Sequence, residues 1–301
     1  MNAATRAEAL VLVSYGGQGV VMSDDGTQHS CKFRRTVGRP FCGDRVLTAR
    51  ADGNSLVVDS ILPRRNYFVR TDDRLRQHII AANLDQALIV VAPRPLPSLD
   101  LLERYLLAVH SLGIKPVIVY NKSELEVAAD ETANGAAVLA HMPDYEALGY
   151  SVVRTSCKTA PGITALRPVL KNRTSILVGQ SGVGKSSLIN QLIPDLHIQT
   201  GNLSNATGKG AHTTTTTKMY QFTDGGYLID SPGVWEYGIW KLKKEELAAG
   251  FIEFKTCPGR CRFNDCLHSS EPGCAVKQAV EDGLILDWRY RSYLRLLKQN
   301  S

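Results

Sequence analysis

The chain has 301 residues, of which 44% are hydrophobic and 21% charged, and its formal net charge is +6. This length and apolar content exclude a low-complexity chain and allow about two or three domains with substantial cores. Because there is no apolar run of about 18 residues and no basic region followed by an apolar stretch in residues 1–10, we expect no membrane span, no secretory signal and a cytoplasmic protein.

The first 70 residues show short alternating strand patterns, as in residues 9–13 and 55–58, separated by Gly- and Asp-containing turns. We expect a small closed β-barrel of the oligonucleotide-binding (OB) type over residues 1–72. Basic and aromatic residues are interspersed here, as in barrels that bind phosphates and bases: Lys32, Phe33, Arg34, Arg35, Arg39, Phe41, Arg45, Arg64, Arg65, Tyr67 and Phe68. For any single aromatic residue in this set, a place in the barrel core is the more common alternative.

The distribution of charge points to a polyanionic partner. Lys and Arg outnumber Asp and Glu by 10 to 6 in residues 1–70 and by 11 to 8 in residues 241–301, whereas residues 71–240 contain 14 and 15. Basic ends around a neutral middle suit contact with RNA. Ordinary surface charge explains an excess of this size equally well.

From about residue 75 the pattern becomes one of alternating strands and helices, which predicts a parallel α/β domain over residues 73–240. Residues 84–91 are typical of an apolar strand, residues 99–112 of an amphipathic helix and residues 116–120 of a second buried strand. Ligands bind to open α/β sheets at the carboxyl ends of the strands. Polar residues that follow these strands are therefore candidates for a binding site.

A candidate base-reading motif follows the second of these strands and consists of Asn121, Lys122, Ser123 and Glu124. Its carboxylate is suited to accept hydrogen bonds from the N–H groups of guanine. The usual guanine motif ends in Asp, and Glu124 is one methylene longer. Taken alone, the tetrapeptide also fits an ordinary polar loop. Residues 155–158, after a further strand pattern, are a weaker candidate for backing the base.

A phosphate-binding loop lies between an apolar strand pattern at residues 175–178 and a helical pattern that begins at Ser187. Strand, Gly-rich turn and helix is the context in which backbone N–H groups and the helix dipole bind phosphate. We expect Lys185 to reach the terminal phosphates and the Ser186 hydroxyl to bind Mg²⁺. The loop comprises Gly179, Gln180, Ser181, Gly182, Val183, Gly184, Lys185 and Ser186.

Two further segments fit the same site. Asp230, after a strand pattern, is placed to hold Mg²⁺ through water, and Gly233 to offer an N–H group to the terminal phosphate. Residues 208–217 are rich in Gly and then in Thr, which suits a loop that orders around metal and phosphate, with Thr214 as the candidate Mg²⁺ ligand. A plain β-strand is the better interpretation of residues 215–217.

His212 is the candidate for positioning the attacking water. Many signalling GTPases place a Gln after the glycine that corresponds to Gly233. This chain has Val234 there, which cannot orient water. His212 beside the threonines is the nearest replacement, although a structural histidine is the alternative.

A Cys/His cluster near the C-terminus predicts a structural metal site. Cys261, Cys266, His268 and Cys274 supply three thiolates and one imidazole, a common tetrahedral zinc set, and we expect one Zn²⁺ per chain. Cys257 lies close enough in sequence to compete for a ligand position. The helical pattern of residues 276–299 either packs on this zinc unit or offers a basic face to RNA.

The base-reading motif precedes the phosphate-binding loop, which reverses the order of ordinary GTPases. Together with the Thr-rich segment, residues 230–233 and the C-x4-C-x-H-x5-C unit behind a basic barrel, this order resembles the circularly permuted GTPases of the ribosome small-subunit-dependent GTPase A (RsgA) family. The resemblance covers nearly the whole chain. The departure is Glu124, where the family has Asp.

The resemblance implies a multidomain α/β fold with an N-terminal OB-type barrel, a central circularly permuted P-loop GTPase domain and a C-terminal zinc-binding helical domain over residues 241–301. It also implies a cytoplasmic bacterial GTPase that uses GTP with Mg²⁺, binds the small ribosomal subunit and its rRNA, is stimulated by that subunit and assists its late maturation. The nucleotide site would be residues 121–124 and Gly179 to Ser187, with the four zinc ligands named above. We expect no membrane partner and a monomer.

Two other function classes remain open at the level of the sequence. The chain could be an RNA-binding scaffold whose nucleotide site controls docking with little catalysis. It could also be an ATPase or kinase that uses the phosphate-binding loop differently. Only Glu124 suggests this hypothesis.

Overall fold

The computed structural model describes residues 6–51, 55–71, 77–125, 138–159, 162–193, 196, 217–230 and 244–299. In this part of the chain no helix is both long and apolar enough to cross a membrane. The described residues form a barrel, a parallel sheet flanked by helices and a C-terminal helical unit.

The N-terminal strands close into a five-stranded barrel, as the sequence predicts. Their order is β1-β2-β3-β5-β4, and β4 pairs back onto β1. Alternate apolar residues of these strands point into a shared core. The strands are β1 (Ala7–Tyr15), β2 (Gln18–Ser23), β3 (Gln28–Phe33), β4 (Arg45–Arg50) and β5 (Leu56–Ile61), and the core contains Ala9, Val11, Val21, Cys31, Val46 and Val58.

A two-stranded hairpin, β6 (Tyr67–Thr71) and β7 (Gln77–Ala82), connects the barrel to the central sheet. Gly43, in the loop before β4, lies against β7 so closely that a Cβ atom there would be 2.2 Å from the Ala82 carbonyl oxygen. The backbone N–H of Ala82 also donates to the carbonyl of Cys42 at 2.9 Å. The hairpin is therefore packed tightly against the barrel.

The central sheet is parallel apart from one strand, which confirms the predicted α/β arrangement. Its order is β10-β9-β8-β11-β13-β12, and only β12 runs antiparallel to its neighbour β13. The inner strands are apolar on both faces because helices cover both sides. The strands are β8 (Gln86–Val91), β9 (Lys115–Tyr120), β10 (Ser151–Arg154), β11 (Thr174–Val178), β12 (Lys218–Gln221) and β13 (Tyr227–Asp230).

Helices lie on both faces of this sheet. Ile89 of β8 packs in the same apolar cluster as α1 (Leu99–Ser111), whereas the next residue toward the N-terminus, Leu88, packs in the cluster of α4 (Lys185–Leu192). Because successive strand residues point to opposite faces, α1 and α4 cover opposite sides. Two short helices, α2 (Met142–Ala147) and α3 (Leu166–Leu170), complete the layers.

The barrel and the central sheet are continuous. Strand β1 pairs antiparallel with β12, with Val13 opposite Lys218. Leu12 and Met22 of the barrel pack in the same apolar cluster as Met219 and Ile229 of the central sheet. The barrel therefore continues the central sheet beyond the strand β12.

The C-terminal unit contains four helices, α5 (Lys244–Gly250), α6 (Ile252–Lys255), α7 (Ala275–Glu281) and α8 (Asp287–Gln299). The predicted helical tail is thus helical, but in two segments. Phe251, Tyr293 and Leu296 share a core with Leu107 of α1. The buried guanidinium of Arg289 in α8 also bonds to carboxylates of α1 and α6.

Candidate functional site

The base-reading motif and the phosphate-binding loop meet at the carboxyl edge of the sheet, where β9 and β11 end. Asn121, which is 1% exposed, joins them: its Nδ2 donates to the Val183 carbonyl at 2.9 Å. Its Oδ1 accepts a hydrogen bond from the buried Thr155 hydroxyl at 3.0 Å. Asn121 thereby holds the base-reading loop, the phosphate-binding loop and the loop after β10 in one arrangement.

The backbone of the phosphate-binding loop requires glycine where it approaches Asn121. Gly184 precedes α4 with φ of 97°, in the left-handed region, and a Cβ atom there would lie 2.4 Å from Asn121 Nδ2. Any side chain would break the contact between the two motifs. The loop residues and Ser187 lie between β11 and the first turn of α4, with Val183 in the apolar core.

Two lysines of the site are held by backbone carbonyl groups. Lys185 Nζ donates to the carbonyls of Gly179 and Gln180, both at 2.7 Å. Lys122 Nζ bridges the carbonyls of Arg94 and Gly182, also at 2.7 Å each. Lys122 therefore connects the loop after β8 to the phosphate-binding loop. The Lys185 side chain folds back onto the carbonyl groups of the phosphate-binding loop, where it is predicted to bind the terminal phosphates.

The carboxylate of Glu124 has an unused acceptor. Its Oε2 atom is buried and has no hydrogen-bond partner among the described residues. Burial acts to raise the pKa of Glu124, but a hydrogen bond from Ser156 and nearby lysine charges lower that pKa below its ordinary value. An ionised carboxylate with a buried free oxygen is suited to accept N–H groups from a ligand.

Ser156 anchors the loop that faces this carboxylate. It is 3% exposed, and its Oγ accepts the backbone N–H groups of Lys158 at 3.1 Å and Thr159 at 3.0 Å. The backbone N–H of Ser123 donates to the Thr155 carbonyl at 3.0 Å. The pattern of residues 155–158 is too loose to identify them from the sequence, and only the fold brings them beside the base-reading motif.

On the phosphate side, Asp230 ends β13, the strand next to β11. Burial raises the pKa of Asp230, and the charges of Lys185 and Lys218 oppose that rise. Ser186 lies in the first turn of α4. The Ser186 hydroxyl and the Asp230 carboxylate, which are both ligand types that Mg²⁺ prefers, therefore come from the neighbouring elements α4 and β13. The other predicted residues on this side lie outside the described residues: His212, Thr214, Gly233 and Val234.

The predicted zinc ligands come together. The ligand atoms of Cys261, Cys266, His268 and Cys274 all lie within 4.8 Å of one another. His268 Nδ1 is 3.5 Å from Cys261 Sγ and 3.4 Å from Cys274 Sγ, and these sulfur atoms are 4.0 Å apart. Tetrahedral zinc with Zn–S distances of about 2.3 Å places its sulfur ligands about 3.8 Å apart, so the donor set fits.

Cys257 does not belong to this set. Its Sγ donates to the Ala275 carbonyl at 3.1 Å. Among the described residues, the compact group of candidate ligands therefore comprises Cys261, Cys266, His268 and Cys274, without Cys257.

Hydrogen bonds tie the cluster to α8. Tyr290 Oη donates to the His268 carbonyl at 2.8 Å, and Tyr293 Oη to the Leu267 carbonyl at 2.6 Å. The Glu271 carboxylate accepts the backbone N–H groups of Leu267 and Ser269, and these bonds lower the pKa of Glu271 to about 2 despite its partial burial. Of the two roles that the sequence left open for the tail, packing on the cysteine cluster is the one observed.

The aromatic residues of the barrel segment divide into two groups. Phe33 packs against the barrel core, so for this residue the core alternative is correct. Phe68 is fully buried, but in the apolar cluster that the hairpin shares with the central sheet. Phe41 instead lies close to two guanidinium groups, with the Cζ atoms of Arg39 and Arg64 at 5.6 and 5.1 Å from its ring centroid. Tyr67 is 47% exposed.

Comparisons with known proteins agree with the geometry. A family model described as RsgA GTPase matches residues 61–240. The "Small ribosomal subunit biogenesis GTPase RsgA" of Pseudomonas aeruginosa is 42% identical over 287 residues, which cover 95% of this chain and 84% of that protein. The protein of the same name from Sodalis glossinidius is 42% identical over 295 residues, which cover 96% and 84%.

Two solved structures share the fold. YjeQ from Thermotoga maritima superposes with a TM-score of 0.80 at 30% identity, covering 98% of this chain and 99% of that one. YloQ, described as a circularly permuted GTPase, superposes with a TM-score of 0.76 at 28% identity, covering 98% and 95%.

Proposed function

The chain belongs to the RsgA GTPase family and is a GTPase, and we propose that it uses GTP hydrolysis in the biogenesis of the small ribosomal subunit. Relatives that carry this function in their names match nearly the whole chain. The observation that carries the nucleotide assignment is the buried Glu124 Oε2 atom, which has no hydrogen-bond partner in the described part of the chain and lies at the end of a motif that Asn121 joins to the phosphate-binding loop.

In this proposal Glu124 accepts the N–H groups of guanine, and Asn121, Lys122 and Ser123 shape the base pocket. The phosphates lie against the backbone of residues 179–187, where N–H groups at the start of α4 favour an anion. Lys185 leaves the carbonyls of Gly179 and Gln180 to bind the terminal phosphates. Its carbonyl partners are weaker acceptors than a phosphate oxygen, which supports this exchange.

Mg²⁺ would be held by the hydroxyls of Ser186 and Thr214 and, through water, by Asp230. When bound, it neutralises charge that develops on the transferred phosphate. Gly233 would donate its N–H to the terminal phosphate, and His212 would position the attacking water. The support for His212, Thr214 and Gly233 is their sequence pattern.

One structural Zn²⁺ would be held by Cys261, Cys266, His268 and Cys274. The compact Cys/His geometry and the absence of an open ligand position in a four-ligand set support a structural metal. Metal binding would stabilise a segment that has little apolar core of its own.

We assign the basic barrel a role in rRNA binding. Arg64 is fixed by a bidentate ion pair to the buried Asp44, with both N···O distances at 2.7 Å, so its guanidinium is presented rigidly beside Phe41. Aromatic rings flanked by guanidinium groups stack on bases and contact phosphates. The working unit is a cytoplasmic monomer with domains at residues 1–72, 73–240 and 241–301.

Competition between GTP and ATP for the free protein tests the nucleotide assignment. We expect GTP to displace a bound fluorescent GDP analogue and ATP to fail at the same concentration. We also expect Lys185→Ala to lower nucleotide affinity and abolish turnover, because a buried phosphate charge loses its ammonium partner. Equal competition by ATP, or stimulated turnover retained in Lys185→Ala, would contradict the assignment.

A further inference from the structure

Lys218 lies between the barrel and the nucleotide site. As the first residue of β12 it is opposite Asp230 in the pairing with β13 and opposite Val13 in the pairing with β1. Residues directly opposite one another in an antiparallel pair project to the same face with Cβ atoms about 5 Å apart. The Lys218 side chain is therefore presented beside the Asp230 carboxylate, and a strand on each side fixes its backbone.

The face of the sheet that carries this pair is the one that faces α4. Two positions further along the same register, Tyr220 is opposite Leu228. Both pack in the apolar cluster that contains Leu188 of α4. Because alternate strand residues share a face, Lys218 and Asp230 project to the same side as the phosphate-binding loop.

Within the described part of the chain, Lys185 and Lys218 are the cations whose charges act on Asp230. Binding of GTP would turn Lys185 toward the phosphates, which leaves Lys218 as the cation that stays beside the carboxylate. We propose that Lys218 is a positioning residue for GTP hydrolysis, which orients the Asp230 carboxylate toward Mg²⁺ through their direct cross-strand pairing. This inference rests on the proposed role of Asp230. It assigns a function to Lys218 of β12, a residue that lies outside the sequence motifs of the nucleotide site.

The test measures the affinity of a fluorescent GDP analogue over a range of Mg²⁺ concentrations that includes a chelator control. The variants are Lys218→Met, Lys218→Arg and the control Lys115→Met, which removes an exposed lysine from the first residue of another strand of the sheet. We expect Lys218→Met to raise the Mg²⁺ concentration for half-maximal affinity about three- to fivefold, as for loss of a cross-strand charge pair. Lys218→Arg, Lys115→Met and all affinities in chelator should match wild type.

An unchanged Mg²⁺ requirement in Lys218→Met overturns the inference. So does a Lys218→Arg variant as impaired as Lys218→Met, because a retained positive charge should be sufficient. Affinity lost equally in chelator, together with a lower Tm, overturns it in favour of a purely structural lysine. If the wild-type protein itself shows no Mg²⁺-dependent affinity for guanine nucleotides, the proposed function fails before Lys218 is tested.

Discussion

Arg289 of α8 and Glu103 of α1 form a buried ion pair in which each side chain is 1% exposed. Glu253 of α6 is the second carboxylate partner of the same guanidinium, at 2.6 Å. The pair joins the C-terminal unit to the face of the central sheet that α1 covers, away from the phosphate-binding loop. Docking of the C-terminal unit on the described part of the GTPase domain therefore depends on a desolvated charge network as well as on apolar contacts.

We predict that Arg289→Met lowers the free energy of unfolding by about 3–5 kcal/mol, because it leaves two buried carboxylates without their cation. Urea denaturation measures this change. The matched control is Arg291→Met, whose pair with Asp287 is 70% and 60% exposed and should change stability by less than about 0.5 kcal/mol. Equal stabilities of the two variants would contradict the assigned importance of the network.

Zinc should be needed for the fold of the C-terminal unit and not for nucleotide binding. We predict that Cys266→Ser loses the metal and increases amide hydrogen exchange in residues 257–299, while GDP affinity stays nearly intact. Cys257→Ser is the control, since the Cys257 thiol bonds to the Ala275 carbonyl outside the cluster. Metal analysis should give about one zinc per chain in wild type and in Cys257→Ser. Native protein without zinc would rule the site out.

Guanine selectivity should depend on Glu124. We predict that Glu124→Asp preserves or sharpens the preference for GTP over ATP, because the shorter carboxylate is the usual one at this position. Glu124→Gln should weaken GTP binding by about tenfold or more, since a charge-assisted hydrogen bond contributes about 1.5–3 kcal/mol. Competition titrations with both nucleotides measure these changes. A switch of Glu124→Asp toward ATP would mean that the base is read elsewhere.

His212→Ala separates hydrolysis from docking. We predict GTP affinity within a few-fold of wild type and a loss of subunit-stimulated turnover of about 10²-fold or more, the scale expected when a group that positions water is removed. The measurement is turnover at saturating small subunits. A deficit that persists when every molecule is bound assigns His212 to hydrolysis, whereas full recovery assigns it to docking.

The local motifs could be predicted because contiguous residues determine their geometry. The phosphate-binding loop is a backbone turn a few residues long, and the short spacing of the four candidate zinc ligands brings their ligand atoms within 4.8 Å of one another. The barrel and the parallel sheet followed from strand patterns and their spacing.

The contacts that connect these parts could not be predicted, because they depend on packing between distant segments. Arg289 and Glu103 are 186 residues apart in sequence, and Thr155 and Asn121 are 34 apart. The pairing of β1 with β12 joins the N-terminal barrel to a strand more than 200 residues later. No composition or periodicity in either segment specifies such a partner.

Turnover of GTP by the wild-type protein, measured with and without purified small ribosomal subunits, tests the central claim most directly. Val234 replaces the usual water-orienting Gln, so intrinsic turnover should be slow. We predict that turnover rises with subunit concentration and saturates, and that Lys185→Ala shows no such rise. Turnover that stays at the intrinsic rate when all the protein is bound to subunits would contradict the account and indicate a nucleotide-controlled scaffold.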